Sequence, residues 1–527
     1  MAIVLLMIAY FEYMLLPLPE PKYFPVIKMI TSTNDFTASI KDFAEALKSL
    51  FHEENNIDSF SIDRGLPDGM LDQILSHQPL AVAVPKAFGG RGNNVREVLT
   101  MLTATSYESL PLALTFGINI GLFVGPVGKY GQDVVKKHVF DKFLEERKMG
   151  GMMITEPDHG SDALNMTTSY QQVEAGYHIS GVKHWQGLTG LAKYWLIAAR
   201  KEMGNGRYAR DIDFFVCDPS KENQQIVVDE YFAALGLYMI PYGRNIVDVT
   251  VPAYQKLIPE TTGINMMLDI LHRSRMQFPG MAMGFIKRML DEAIEHCSNR
   301  IIGKVSLLSK DGIAFQIAKM QSSYTICSAM CLRSSMISGV ENNLATQGLE
   351  ANSIKALITD LMQEAAQALV QVSGAKGYKL SHIGGRGIVD SRPFQIFEGS
   401  NEMLYSQVAE AITRLMKKQQ ESSLFTFLKG FKLTAESCSF FKAELTVKLN
   451  SILPQRKLLD LGKVLSRVMS IGYVVDLAAK GFRNDLVENC IHIVRQEIAT
   501  LMTAFQFESD VQIIKDYEAD SLWTSFA

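Results

Sequence analysis

The chain is poor in the residues that build small secreted scaffolds and metal clusters. Six cysteines are scattered through 527 residues and none forms a CxxC pair, which excludes a disulfide framework and a cysteine-rich zinc module. Cys327 and Cys331 lie four apart on an expected helix with no further ligands at suitable spacing. They read as small buried residues, no metal site is expected, and the usage points to a reducing compartment. Charge of one sign is also lacking: 52 basic against 56 acidic residues leave a net charge of −4. Bulk attraction to nucleic acid is therefore not expected, and any phosphate chemistry must be local. Zinc-protease HExxH, a Walker A loop, the GxSxG elbow and a strand-to-helix GxGxxG are all missing. The glycines at 384, 385 and 387 surround Arg386 in a loop between helical stretches. Residues 1–20 hold no Lys or Arg, so the positive start of a signal peptide is absent, and the apolar run from Ala2 to Phe11 is too short to span a bilayer. Interfacial anchor, packed arm and sequence upstream of a start at Met29 are equal readings of this segment.

What is present is a folded composition, 47% hydrophobic and 20% charged, over a length that calls for more than one packed unit. Five stretches follow from the patterning. Residues 1–34 form an arm. Residues 35–150 are mainly helical, with Phe36, Ile40, Phe43, Ala44 and Leu47 on one face; Ala81 to Pro85 reads as an extended piece before a glycine-rich turn, Phe88 to Gly92. Residues 151–262 shift to period two, with expected strands at Tyr177–Ile179, Tyr194–Ala198, Ile212–Cys217 and Ile246–Val251. The short spacing between them predicts an antiparallel sheet, as barrel or sandwich, and disfavours a parallel one. Residues 263–418 return to long helical stripes, one carrying Ile286, Met289, Leu290, Ala293, Ile294, Cys297 and Ile301, another Ile354, Leu357, Ile358, Leu361, Met362, Ala365 and Leu369. These predict a four-helix bundle. Residues 419–527 add a further helical module, divided at Pro454. The expected class is α+β, mainly α.

Three short segments stand out chemically: Thr155-Glu156-Pro157 through Ser161-Asp162 at the head of the β-region, Lys183-His184-Trp185, and Phe397-Glu398-Gly399-Ser400-Asn401 before the last bundle helix. Singly, each reads as a turn, a half-buried strand aromatic or a solvated carboxylate. In this order, on a helix, sheet, helix background, they resemble the acyl-CoA dehydrogenase family over roughly residues 35–415. Supporting matches are the Pro85 to Gly92 turn, Arg275 with Gly284, Arg300 with Gly303, the run Gln371, Gly374, Gly377, Tyr378, and Asp390 ahead of the Phe-Glu-Gly-Ser.

The resemblance implies FAD-dependent α,β-dehydrogenation of an acyl-CoA thioester, with Glu398 as the base for the α proton. No side chain accepts the β hydride, so a flavin must. It further implies flavin contacts from Thr155, Ser161, Trp185, Gly187 and Ser400, and adenine-side contacts in a neighbouring subunit from Arg300, Gln371 and Gly374. Substrate contacts would come from Ser161, Arg275 and Gly399. The implied partners are an electron-transfer flavoprotein and further copies of the chain, as a homodimer or homotetramer. The implied location is a bacterial cytoplasm. Where the family has Trp-Ile-Thr-Asn, this chain has Trp185-Gln186-Gly187-Leu188, so the flavin-facing hydroxyl is replaced; a backbone amide and Thr189 are the candidate substitutes. An acyl-CoA oxidase using oxygen and a non-catalytic scaffold are the alternatives. The apolar face of Leu424, Phe427, Leu428 and Phe431 fits either peripheral membrane contact or packing on the bundle.

Overall fold

The computed structural model describes residues 34–449, 453–507 and 511–521. The arm expected over residues 1–34 therefore lies outside the described residues apart from its last position. The first third is helical. It holds α1 (Asn34–Lys48) and α2 (Val95–Glu108), then α3 (Leu110–Gly117), which runs without a break through a π-helical stretch, Ile118–Val124, into Gly125–Tyr130. This continuous rod has no charged residue before Lys129 and is long and apolar enough to cross a membrane, yet most of its surface is buried inside the protein. Asn119 anchors the π-helical stretch: its amide donates to Thr115 O at 2.7 Å, and its Oδ1 accepts from Gly150 N at 2.7 Å.

Gly150 opens a seven-stranded sheet: β1 (Gly150–Met153), β2 (Ser169–Val173), β3 (Gly176–Gly187), β4 (Tyr194–Lys201), β5 (Asp213–Cys217), β6 (Ile226–Phe232) and β7 (Tyr242–Val251). The sheet is mixed, in the order β1-β4-β2-β3-β7-β6 with β5 on β4. The expected purely antiparallel arrangement is corrected at two places, where β1 and β2 both pair with β4 in parallel. The spacing argument failed there because it concerned consecutive strands. β1 and β4 are not consecutive, and the β2–β3 hairpin between them provides the length that a parallel return requires. Two smaller expectations also change. Pro79 starts a 3₁₀ turn, Pro79–Val82, where an extended piece was expected, since proline fits the first helical position. Ile301 leaves its helical stripe, because the helix ends at Asn299 and Ile301 enters an exposed two-stranded hairpin.

The last part is a bundle of α4 (Gly263–Arg275), α5 (Phe278–Asn299), α6 (Asp311–Ile337), α7 (Gly348–Ser373), α8 (Ile383–Ser391) and α9 (Asn401–Lys418). The helices α10 (Gln455–Ala478) and α11 (Asn484–Gln506) then lie against α6, α7 and α9. Backbone contact is close: a Cβ at Gly462 would meet Tyr405 O at 2.0 Å. Arg467 pairs with Glu497 at 2.7 Å, Lys319 pairs with Glu497 at 3.0 Å, and Tyr473 donates to Glu350 at 2.9 Å. Leu424, Phe427 and Leu428 are buried in the common core. Of the two readings of that face, packing on the protein is the one observed.

Candidate functional site

Glu398 sits in the loop between α8 and α9 with φ of 53°, and Gly399 follows at 93°. Two consecutive left-handed residues make a sharp reversal, and for a non-glycine that conformation is strained and has to be held. The holding groups are cations from two other helices. Arg275, at the end of α4, donates to Glu398 O through Nη2 at 2.7 Å and Nε at 3.2 Å. Lys355 of α7, fully buried, donates to Gly399 O at 2.8 Å and Asn401 Oδ1 at 3.0 Å. Ser400 caps α9 by accepting from Met403 N.

The reversal turns the Glu398 side chain inward. Ser274 Oγ donates to its Oε1 at 2.8 Å, while Oε2 is buried and has no hydrogen-bond partner among the described residues. Burial raises the carboxyl above its ordinary range. The opposing influences of Arg275, the Ser274 hydrogen bond and Lys355 reduce that rise without cancelling it. Burial likewise lowers the Lys355 ammonium to about 7, against the pull of Glu398.

A second group of residues forms at the edge of the sheet. Trp185 lies in the irregular stretch of β3 between Lys183 and Gln186, with φ of 60° and half of its surface exposed. Phe232 and Tyr242 border it, with ring centroids at 4.6 and 6.2 Å. Thr155 O accepts from His184 N at 2.8 Å and from Gln186 Nε2 at 3.0 Å, which ties the Thr-Glu-Pro segment to the Trp185 strand. Beneath both lies a buried ion pair, Lys183 with Glu156 at 3.0 Å. Burial pushes Glu156 up, but Lys183 and the Thr167 and Thr168 N–H groups outweigh it and hold the carboxyl at about 2. Burial lowers Lys183 to about 8 against that same partner.

The π-helical stretch joins the two groups. A Cβ at Gly187 would meet Ile118 Cδ1 at 3.1 Å, and one at Gly121 would meet Ser274 Oγ at 3.2 Å. Ile118 and Gly121 are one turn apart, so the strand end that carries Gly187 and the serine that holds Glu398 border the same turn. The bundle is also tied directly to the sheet: Asp390 accepts from Leu237 N at 2.5 Å, and a Cβ at Gly236 would meet Val389 O at 2.4 Å.

The sequence-expected residues thus fall into three places. Glu398, Gly399, Ser400 and Arg275 are together, although Arg275 holds the Glu398 backbone and Asn352 (2.5 Å) rather than presenting itself to a substrate. Thr155, Trp185 and Gly187 are together, and Ser161 is exposed in the loop that follows Thr155. Arg300, Gln371 and Gly374 are exposed at the outer ends of α5 and α7. Thr189 does not replace the missing hydroxyl at 187. It is buried, donating to Gln186 O at 2.7 Å and accepting from Asn245 at 3.0 Å. Sequence reasoning missed Ser274, Lys355, the Lys183–Glu156 pair and the π-helical stretch. The charge-free run from Ser109 to Gly128 was the one signal available for the last of these.

The fold is that of an enzyme class in which a helical domain, a curled sheet and a helical bundle share one site. The comparisons identify the class. Residues 151–248 match the middle domain of acyl-CoA dehydrogenase and residues 261–413 its C-terminal domain. An acyl-CoA dehydrogenase of Bacillus subtilis (strain 168) is 23% identical over 338 residues, covering 64% of this chain and 87% of that relative. The CarC subunit of a caffeyl-CoA reductase-Etf complex from Acetobacterium woodii is 24% identical over 69% of this chain and 93% of its own length. Among solved structures, butyryl-CoA dehydrogenase from Megasphaera elsdenii has a TM-score of 0.64 at 20% identity, covering 73% of this chain and all of that one. An acyl-CoA dehydrogenase from Bacillus anthracis complexed with FAD has a TM-score of 0.71 at 18% identity, covering 91% of this chain and 89% of that one. The chain belongs to the acyl-CoA dehydrogenase family.

Proposed function

We propose that the protein binds FAD and removes the α proton and β hydride of an acyl-CoA thioester, with Glu398 as the base. The observation that carries this reading is the Glu398 carboxyl, raised by burial, with Oε1 held by Ser274 and Oε2 without a partner among the described residues. That oxygen is free to take a proton, and the water-poor setting makes the carboxylate basic enough to do so. The Glu398 N–H has no acceptor among the described residues and is free to receive the thioester oxygen as negative charge develops there. Arg275 and Lys355 fix the two carbonyls of the reversal, so base and N–H keep one geometry.

The residues present fit a flavin. Trp185 exposes a ring on the strand tied to Thr155, and the buried His184 Nδ1 next to it in the chain has no partner among the described residues. FAD, when bound, supplies the hydride acceptor that the side chains lack. Thr155, Ser161, Trp185 and Gly187 would hold its ring and pyrophosphate side, with Ser400 close by. Arg300, Gln371 and Gly374 would reach a second copy's FAD, and this is supported by the exposed apolar residues around them: Ile301, Ile302, Val305, Tyr378 and Leu380. Electrons would pass to an electron-transfer flavoprotein.

The test is Glu398→Gln. The variant is expected to purify with its yellow flavin and to show no bleaching on anaerobic addition of acyl-CoA. Unchanged bleaching would overturn the assignment of the base. Admitting air to the substrate-reduced wild type separates the acceptors: slow reoxidation is expected, and rapid stoichiometric peroxide would mark an oxidase.

A further inference from the structure

Gln277 lies in the short break between α4 and α5, its N–H donating to Ser274 O at 2.9 Å. The residue is 7% exposed and its Oε1 is buried with no partner among the described residues. It points to the same place as Ser274: a Cβ at Gly121 would meet Ser274 Oγ, Gln277 Nε2 and Gln277 Oε1, each at 3.2 Å. The amide therefore lies within one helical turn of the serine that holds the proposed base, against Gly121 of the π-helical stretch, in which Ile118 and Leu122 are partly exposed. A π-helical turn in an otherwise regular helix commonly marks a working site. Buried amide oxygens are rarely left without a donor in native proteins, and a plain alkyl chain has none to offer.

We propose that Gln277 selects the acyl group: the substrate carries a hydroxyl or N–H donor a few bonds beyond its β carbon, and Gln277 accepts it. This rests on the proposed function and narrows its substrate class to short, donor-bearing acyl thioesters. The redox step itself is unchanged, since the α proton goes to Glu398 and the β hydride to the flavin.

The experiment compares 4-hydroxybutyryl-CoA with pentanoyl-CoA, in which a methyl replaces the hydroxyl. Binding of the products, 4-hydroxybut-2-enoyl-CoA and pent-2-enoyl-CoA, to the flavin-loaded enzyme is measured by calorimetry, and anaerobic bleaching is followed with the two substrates. One well-placed hydrogen bond predicts a preference of about tenfold for the hydroxylated thioester in both readouts. Gln277→Leu should remove or invert that preference while retaining flavin, and Gln277→Met serves should the leucine variant fail to fold. Equal or weaker binding of the hydroxylated compound by the wild type, as a resident water on Gln277 would give, overturns the inference. Failure of both thioesters to bleach the flavin would instead overturn the proposed dehydrogenation.

Discussion

The Lys183–Glu156 pair gives two single variants with opposite pH dependence. Lys183 is fully buried and Glu156 is 2% exposed. Lys183 donates to Ile154 O as well as to Glu156, each at 3.0 Å, and Glu156 also accepts from Thr167 N, Thr167 Oγ1 and Thr168 N at 2.7 to 2.9 Å. Removing one partner leaves a buried charge, which typically costs about 3–5 kcal/mol. That penalty cannot exceed the cost of neutralising the survivor. In Lys183→Met the survivor is Glu156, with an ordinary value of 4.5; protonating it at pH 7 costs about 3.4 kcal/mol, falling to about 0.7 at pH 5. In Glu156→Gln the survivor is Lys183, with an ordinary value of 10.5; deprotonating it costs about 4.8 kcal/mol at pH 7 and about 2 at pH 9. In the wild type the sign is the usual one for a carboxylate: the contribution of Glu156 is present above 4.5 and is lost as pH falls toward 2. Urea unfolding from pH 5 to 9 should therefore show the lysine variant approaching wild type in acid and the glutamine variant approaching it in base. The double variant should be milder than either single change at pH 7. Because the pair underlies both Thr155 and Trp185, each single variant should also release flavin faster. Parallel pH trends, or losses under about 1 kcal/mol at every pH, would refute the reasoning.

Flavin reduction should decline as pH falls through a midpoint above the ordinary carboxylate range, because Glu398, the proposed base, must be ionised and burial raises it. Lys355→Met removes a charge that lowers Glu398, so stopped-flow measurement should place that midpoint higher; a lower one would count against that influence. Gly284→Ala should cost about 3 kcal/mol by calorimetry, since its Cβ would meet Thr103 O at 2.0 Å and Ser106 Oγ at 2.2 Å. Arg467→Met leaves Glu497 with Lys319 alone. It should cost about 3 kcal/mol and make α10 and α11 the first segments cut in limited proteolysis, whereas a wild-type cleavage pattern would show that the pair does not hold them.

The two periodicities, and the places where they change, were readable from the chain because burial of one face imposes them on the sequence. Glu398 and Trp185 were readable because short segments around them matched a family in the right order. The groups that hold them were not. Lys183 and Lys355 are cations, which in a sequence read as solvated surface, and their burial is set by partners far along the chain: Glu156 for one, Gly399 and Asn401 for the other. Ser274 and Gln277 carry no local signal, because their importance comes from facing Gly121 across the fold. The parallel pairing of β1 with β4 escaped for the same reason, since a rule about neighbouring strands says nothing of strands separated by a hairpin.

That dependence on distant partners explains why the site cannot be divided along the boundaries that composition suggests. The proposed base is held from α4 at its own carbonyl and from α7 through the carbonyl of Gly399, its carboxyl is oriented by Ser274, and Gly121, from the first helical third, packs against that serine. The same π-helical stretch meets Gly187 of the sheet one turn away and is locked to β1 by Asn119. A shift of the apolar rod along its axis would therefore displace both sides of the site together. The 21-residue apolar stretch Leu110–Tyr130, which length and composition alone would allow to span a membrane, is mostly buried and touches both the serine that holds the proposed base and the strand end that follows Trp185.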